Sequence, residues 1–134
     1  HGGTFNNNVV SMAGAAAAMS EMLSEAKLSQ LFSRGESLRS RLNELFTAST
    51  LPLSATGVGS MMAVHTVDGP ITGPHDLEAS DHELRQLLFH ELLHRGCYIA
   101  ARGFIALSLD ITDEQCDTLV GAMSEAIDSI SPPN

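Results

Sequence analysis

Between Leu28 and Phe46 apolar residues recur at Leu28, Leu31, Phe32, Leu38, Leu42, Leu45 and Phe46, with Arg34, Glu36, Arg39, Arg41 and Glu44 between them. That spacing predicts an amphipathic helix from Ser24 to about Thr47–Thr50, one face buried and the other solvated, stopped by Pro52. A helix of this length needs an apolar surface to cover, and the rest of the chain must supply it. At 134 residues the chain has room for one ordinary core.

Upstream, Val9, Val10, Met12, Ala13, Ala15 to Ala18, Met19, Met22 and Leu23 predict a second helix with small side chains, capped by the Asn6–Asn8 run. Downstream, Ser54–Val58 and Met61–Val67 lack a helical period and predict two short strands joined at Gly59-Ser60. Asp68-Gly69-Pro70 and Gly73-Pro74 mark a loop. The capping-box sequence Ser80-Asp81-His82-Glu83 opens a helix over about 80–95 that Gly96 stops. Cys97–Ala100 and Phe104–Leu109 predict two more strands around Ala101-Arg102-Gly103, and Thr112-Asp113-Glu114-Gln115 caps a last helix through Ile130. The order predicts an α+β domain, helices packed on a small, mainly antiparallel sheet.

Sixteen acidic against seven basic residues leave a net charge of −9, which excludes a phosphate-tracking nucleic-acid surface. No apolar run reaches the roughly 20 residues of a membrane span, so no membrane partner is expected. Cys97 and Cys116 have no metal-ligand spacing and predict reduced thiols and a cytoplasmic setting.

His90-Glu91-Leu92-Leu93-His94 matches the zinc-protease pattern His-Glu-x-x-His. The extended form of that motif would place Gly at position 97 and His at position 100, where this chain has Cys97 and Ala100. At about 100° per residue both histidines fall opposite Leu84, Leu88 and Leu92. The expectation is a solvated histidine face and no metal site. Nucleophile elbows, phosphate loops and dinucleotide fingerprints are absent from the sequence as well.

The opening His1-Gly2-Gly3-Thr4-Phe5-Asn6-Asn7-Asn8 and the small-residue helix after it resemble a stretch of class III pyridoxal-phosphate-dependent aminotransferases, the group that includes glutamate-1-semialdehyde aminomutase and the β-amino-acid transaminases. The likeness continues through Thr56-Gly57-Val58-Gly59-Ser60-Met61, through Leu92 to Ala100 and through Phe104-Ile105-Ala106-Leu107-Ser108. It implies the small C-terminal domain of a fold-type I enzyme, residues 24–134, preceded by a cofactor-phosphate loop and an interdomain helix over residues 1–23.

The resemblance further implies that Gly3, Thr4 and Phe5 bind the cofactor, with Thr4 reaching the phosphate held by the other subunit of a homodimer. It places an arginine for the substrate carboxylate at Arg102. The family's imine-forming lysine lies upstream of the Gly-Thr-Phe motif, and the sole lysine here, Lys27, is on a polar helix face. No catalytic residue is therefore expected in this chain. It is expected to be a fragment, inactive alone and not retaining pyridoxal phosphate, whose partners are the remaining large domain, the second subunit, and small amino-acid and keto-acid substrates. The alternatives are a fragment of an aminomutase and a non-catalytic interaction domain of the same fold.

Overall fold

The computed structural model describes residues 8–131. The chain divides into two compact units, His1–Gln30 and Leu31–Asn134. In the first, Asn8 caps helix α1 (Val9–Ala17), its Oδ1 accepting from the amides of Val10 and Ser11 at 2.9 and 3.2 Å. The helix predicted to reach Leu23 instead widens into a π-helical turn over Ala18–Met22. There the Leu23 amide donates to the Ala18 carbonyl five residues back, at 3.1 Å. The Ser24 hydroxyl then accepts from the Lys27 amide at 3.3 Å and starts helix α2 (Glu25–Ala48). No described residue of α1 or of the π turn is buried.

The second unit is an α+β layer. Strands β1 (Ser54–Val58), β2 (Met61–His65) and β3 (Phe104–Ala106) form an antiparallel sheet in the order β1-β2-β3. Ala55, Met62, Val64 and Ile105 point inward from it. They meet Leu38, Leu42 and Phe46 of α2, Leu84, Leu88 and Leu92 of α3 (His82–His94), and Cys116, Met123 and Ile127 of α4 (Asp113–Ile130). The other face of the sheet carries Val58, Met61 and Phe104 into solvent. Leu28 and Phe32, part of the predicted apolar stripe, are also half exposed. No described helix is long and apolar enough to cross a membrane.

The Cys97–Ala100 segment, predicted as a strand, is not one. Gly96 takes φ 78° and ends α3 with its amide on the Leu93 carbonyl, while the Cys97 amide returns to Leu92. This paired closure occupies backbone groups a strand would need. Ala100 then closes a turn with Gly103 at 2.8 Å, and β3 is shorter than the predicted Phe104–Leu109. Asp81, not Ser80, caps α3, accepting from the Leu84 amide at 2.9 Å. Buried Thr66 holds that cap in place: its hydroxyl donates to the Asp81 carbonyl at 2.6 Å. Thr112 and Gln115 form the predicted capping box of α4.

The closest approach between helix and sheet is at Gly35. A Cβ there would lie 2.0 Å from the Gly59 carbonyl oxygen, so α2 touches the β1–β2 turn backbone to backbone. Gly59, with φ 55° ahead of a Ser60 of negative φ, sits at the first central position of a two-residue hairpin turn, where glycine is favoured. Its amide donates to the Glu36 carboxylate at 2.8 Å. That bond, with the Arg39 ion pair, holds the Glu36 carboxyl below its ordinary range. Asn43, two turns further along α2, clasps Ala55 of the edge strand, accepting from its amide at 2.8 Å and donating to its carbonyl at 2.9 Å.

Glycine inside a helix costs roughly 0.5–1 kcal/mol relative to alanine. Replacement at exposed Gly121 of α4, where an added Cβ meets nothing within 4 Å, should therefore stabilise the domain by about that amount. Gly35→Ala should do the opposite, destabilising by about 1–3 kcal/mol because backbone must move. Urea unfolding of the two variants checks the opposed signs.

Candidate functional site

Of the sequence-predicted site residues, Gly3, Thr4 and Phe5 lie outside the described residues. Arg102 is exposed, in the Ala100–Gly103 turn that leads into β3. Gly103 makes this turn possible. It takes φ 87°, and a Cβ on it would lie 2.1 Å from the Val64 carbonyl oxygen. Its own carbonyl accepts from the Val64 amide at 2.9 Å, which ties the turn to β2. Arg102 is therefore a long cationic side chain carried on a braced backbone.

Arg102 is distinguished by what it lacks. Arg34 pairs with Asp113 at 2.6 Å, Arg41 with Asp117 at 2.7 Å, Arg39 with Glu36, and Arg95 with Glu91 and Glu125. Arg102 and Arg85 have no carboxylate partner among the described residues, in a chain with an excess of carboxylates. Arg85 lines a cleft with Val64, Thr66, Phe89, Ala101 and Gly103, the last two flanking Arg102. The enclosed volume, about 10 Å³, holds at most about one water, so any larger anion meets these arginines at the surface.

The local chemistry keeps the cleft free of negative charge. An Arg85 terminal nitrogen lies 2.6 Å from His82 Nδ1; a guanidinium only donates, so Nδ1 is the acceptor. His65 Nε2 lies 2.8 Å from the Thr56 hydroxyl. Burial, and then the charge of Arg85, push the His65 imidazole below its ordinary value. The sequence reading passed over Arg85 and His65. An arginine on the polar side of a helix carries no mark of being unpaired until the fold places the carboxylates elsewhere.

The remaining motif residues separate from this site. His90 and His94 are exposed on α3, opposite buried Leu84, Leu88 and Leu92, as their spacing predicts. Glu91 pairs with Arg95. No group of three or more His, Cys, Asp or Glu is placed to hold a metal among the described residues. Cys97 and buried Cys116 line a different groove with Leu38, Ile105 and Leu119, and burial pushes both thiols up.

No protein-family profile matches the chain. It is 42% identical over 127 residues to a β-phenylalanine transaminase of Variovorax paradoxus, covering 95% of this chain and 29% of that protein. It is 32% identical over 129 residues to a glutamate-1-semialdehyde 2,1-aminomutase of Thermus thermophilus, covering 93% and 30%. The crystal structure of the β-phenylalanine aminotransferase from Variovorax paradoxus superposes with a TM-score of 0.90 over 96% of this chain and 30% of its own. A glutamate-1-semialdehyde aminomutase from Pseudomonas aeruginosa, in complex with PMP, shares the fold at a TM-score of 0.84 and 17% identity. The chain thus spans about 30% of the length of the relatives it matches.

Because folding lowers the His65 value, the unfolded chain binds the extra proton as pH falls. The stability that neutral His65 contributes is complete above about pH 6.5 and is lost as pH drops through its lower folded value. Urea midpoints measured at pH 7 and pH 5 should therefore fall more for the native chain than for a His65→Gln variant.

Proposed function

We propose, from the premise that this chain is homologous to the C-terminal region of class III pyridoxal-phosphate-dependent aminotransferases, that it supplies the substrate-carboxylate contact of an enzyme moving an amino group between a β-amino acid and a keto acid. The carrying observation is the match to β-phenylalanine transaminase, higher in identity than the match to the aminomutase of Thermus thermophilus. Residues 24–134 act as the small domain and residues 1–23 as the cofactor-phosphate loop and linking helix. The large domain and a second subunit complete the site. The open sheet face, with Val58, Met61 and Phe104 exposed next to the Arg102 turn, supports a covered position in such an assembly.

Pyridoxal phosphate, when bound, serves as the carrier of the amino group and as the electron sink. This chain's part is binding and orientation. Arg102 offers two parallel N–H donors to a carboxylate, a geometry that fixes the substrate as well as attracting it. The absence of a competing carboxylate partner among the described residues suits it to that role, and Arg85 raises the local positive potential. Thr4, in the Gly2-Gly3-Thr4 sequence, would hold the cofactor phosphate through its hydroxyl. Lys27 takes no part, so the isolated chain transfers no amino group.

A chimera of the Variovorax paradoxus transaminase carrying this chain in place of its homologous region should transaminate β-phenylalanine, while the 134-residue chain alone with pyridoxal phosphate should not. In the chimera, Arg102→Ala should lower kcat/KM for the amino acid about tenfold or more through KM, the value of a charge-assisted pair. A folded, cofactor-loaded chimera with unchanged kinetics in that variant would remove Arg102 from the site. The second reading, an intramolecular amino shift, has the 32% identity to an aminomutase in its favour; product analysis with glutamate-1-semialdehyde separates the two.

A further inference from the structure

The geometry points to a two-histidine clamp for a borderline divalent metal ion on the exposed face of α3, formed by His90 and His94. This site is independent of the aminotransferase reading. It differs also from the zinc-protease pattern that the same residues match, because it is a binding site with no catalytic glutamate.

Both histidines lie within α3, which runs unbroken from His82 to His94, and both are exposed. Residues four apart on a helix hold their Cβ atoms about 5–6 Å apart on one face. Two imidazole nitrogens on one face can then reach a single ion at the roughly 2.0–2.1 Å of a metal–nitrogen bond. The buried leucines of α3 anchor the helix from the opposite side, so the pair is held in register by the core and not by the ligand. The His90 ring lies edge-on to Phe89, centroids 5.2 Å apart, and its nitrogens make no hydrogen bond among the described residues. His94 stands in the last turn of α3, at the negative end of the helix dipole, which favours a cation.

The surroundings determine what kind of site this is. Glu91, between the histidines in sequence, pairs with Arg95, which also donates to the Glu125 carbonyl of α4 at 3.2 Å, so its carboxylate is engaged by a cation. The ion would therefore have two protein nitrogens, with water in its other positions. Imidazole ligation selects copper, nickel and zinc over magnesium or calcium, with Cu²⁺ bound most tightly of the divalent series.

Cu²⁺ titration of the 134-residue chain, set against His90→Ala, His94→Ala and the double variant, tests the clamp. Because the second imidazole binds intramolecularly, removing either should weaken this site about tenfold or more. The double variant should lose no further site than either single variant, since a clamp missing one arm is already gone. In ring-proton NMR, substoichiometric Cu²⁺ should broaden His90 and His94 together, while His82→Ala leaves both effects in place. Additive losses in the double variant would mean two separate histidines and would overturn the clamp, as would single variants that bind like the native chain. Circular dichroism of each variant confirms that α3 is intact, so lost binding reports lost ligands.

Discussion

The approach of α2 to the β1–β2 turn, backbone against backbone at Gly35 and Gly59, sets the spacing between helix and sheet in this domain. With no side chain at Gly35, the Gly59 carbonyl comes close enough for the Gly59 amide to reach Glu36 one residue on. The same turn receives the Leu107 amide on the Ser60 carbonyl at 2.8 Å, which ties the end of β3 to it. One short turn thus aligns α2, the hairpin and the third strand. A helix interior would ordinarily reject glycine, and the tolerated propensity cost identifies a place where proximity matters more than local preference.

The candidate site inherits its character from that frame. Ion pairs join the helices at the domain's rim: Arg34 and Arg41 of α2 reach Asp113 and Asp117 of α4, and Arg95 at the end of α3 reaches Glu125. The described carboxylates engaged there pair with other arginines, and Arg102 and Arg85 stand without one among the described residues. An unpaired guanidinium costs little in water and retains its full capacity for an incoming anion. In this acidic chain Arg34, Arg41 and Arg95 link helices through carboxylates, while Arg102 stands exposed without one among the described residues.

Much of the fold was legible because its determinants are local. Asn8, Asp81 and Thr112 cap helices through their own neighbours, the Gly59-Ser60 turn announces a hairpin, and the α2 stripe ends where Pro52 demands. The errors have one physical origin. Within Cys97–Ala100 Ile99 is buried in the core from a loop, and burial gives a segment the same apolar composition as strand pairing does. The π turn at Ala18–Met22 depends on which carbonyl one amide selects, and Gly35 gives no sign in sequence that a carbonyl will lie against it. Arg102 rests on family likeness, whereas the effect of Arg85 on His65 is visible only in the fold. Whether a charge is paired is a property of three-dimensional arrangement.

The Asn43 clasp on Ala55 bears on how the sheet ends. β1 is an edge strand, and Ala55 is the position whose amide and carbonyl both find the Asn43 side chain. An edge with free donors and acceptors is a template on which another chain can add a strand, the usual first contact in aggregation. Here a side-chain amide imitates the missing neighbour, satisfying both groups from within the molecule. At Ala55 the margin is covered by the domain's own helix, and a second polypeptide seeking backbone partners at that residue finds them already taken.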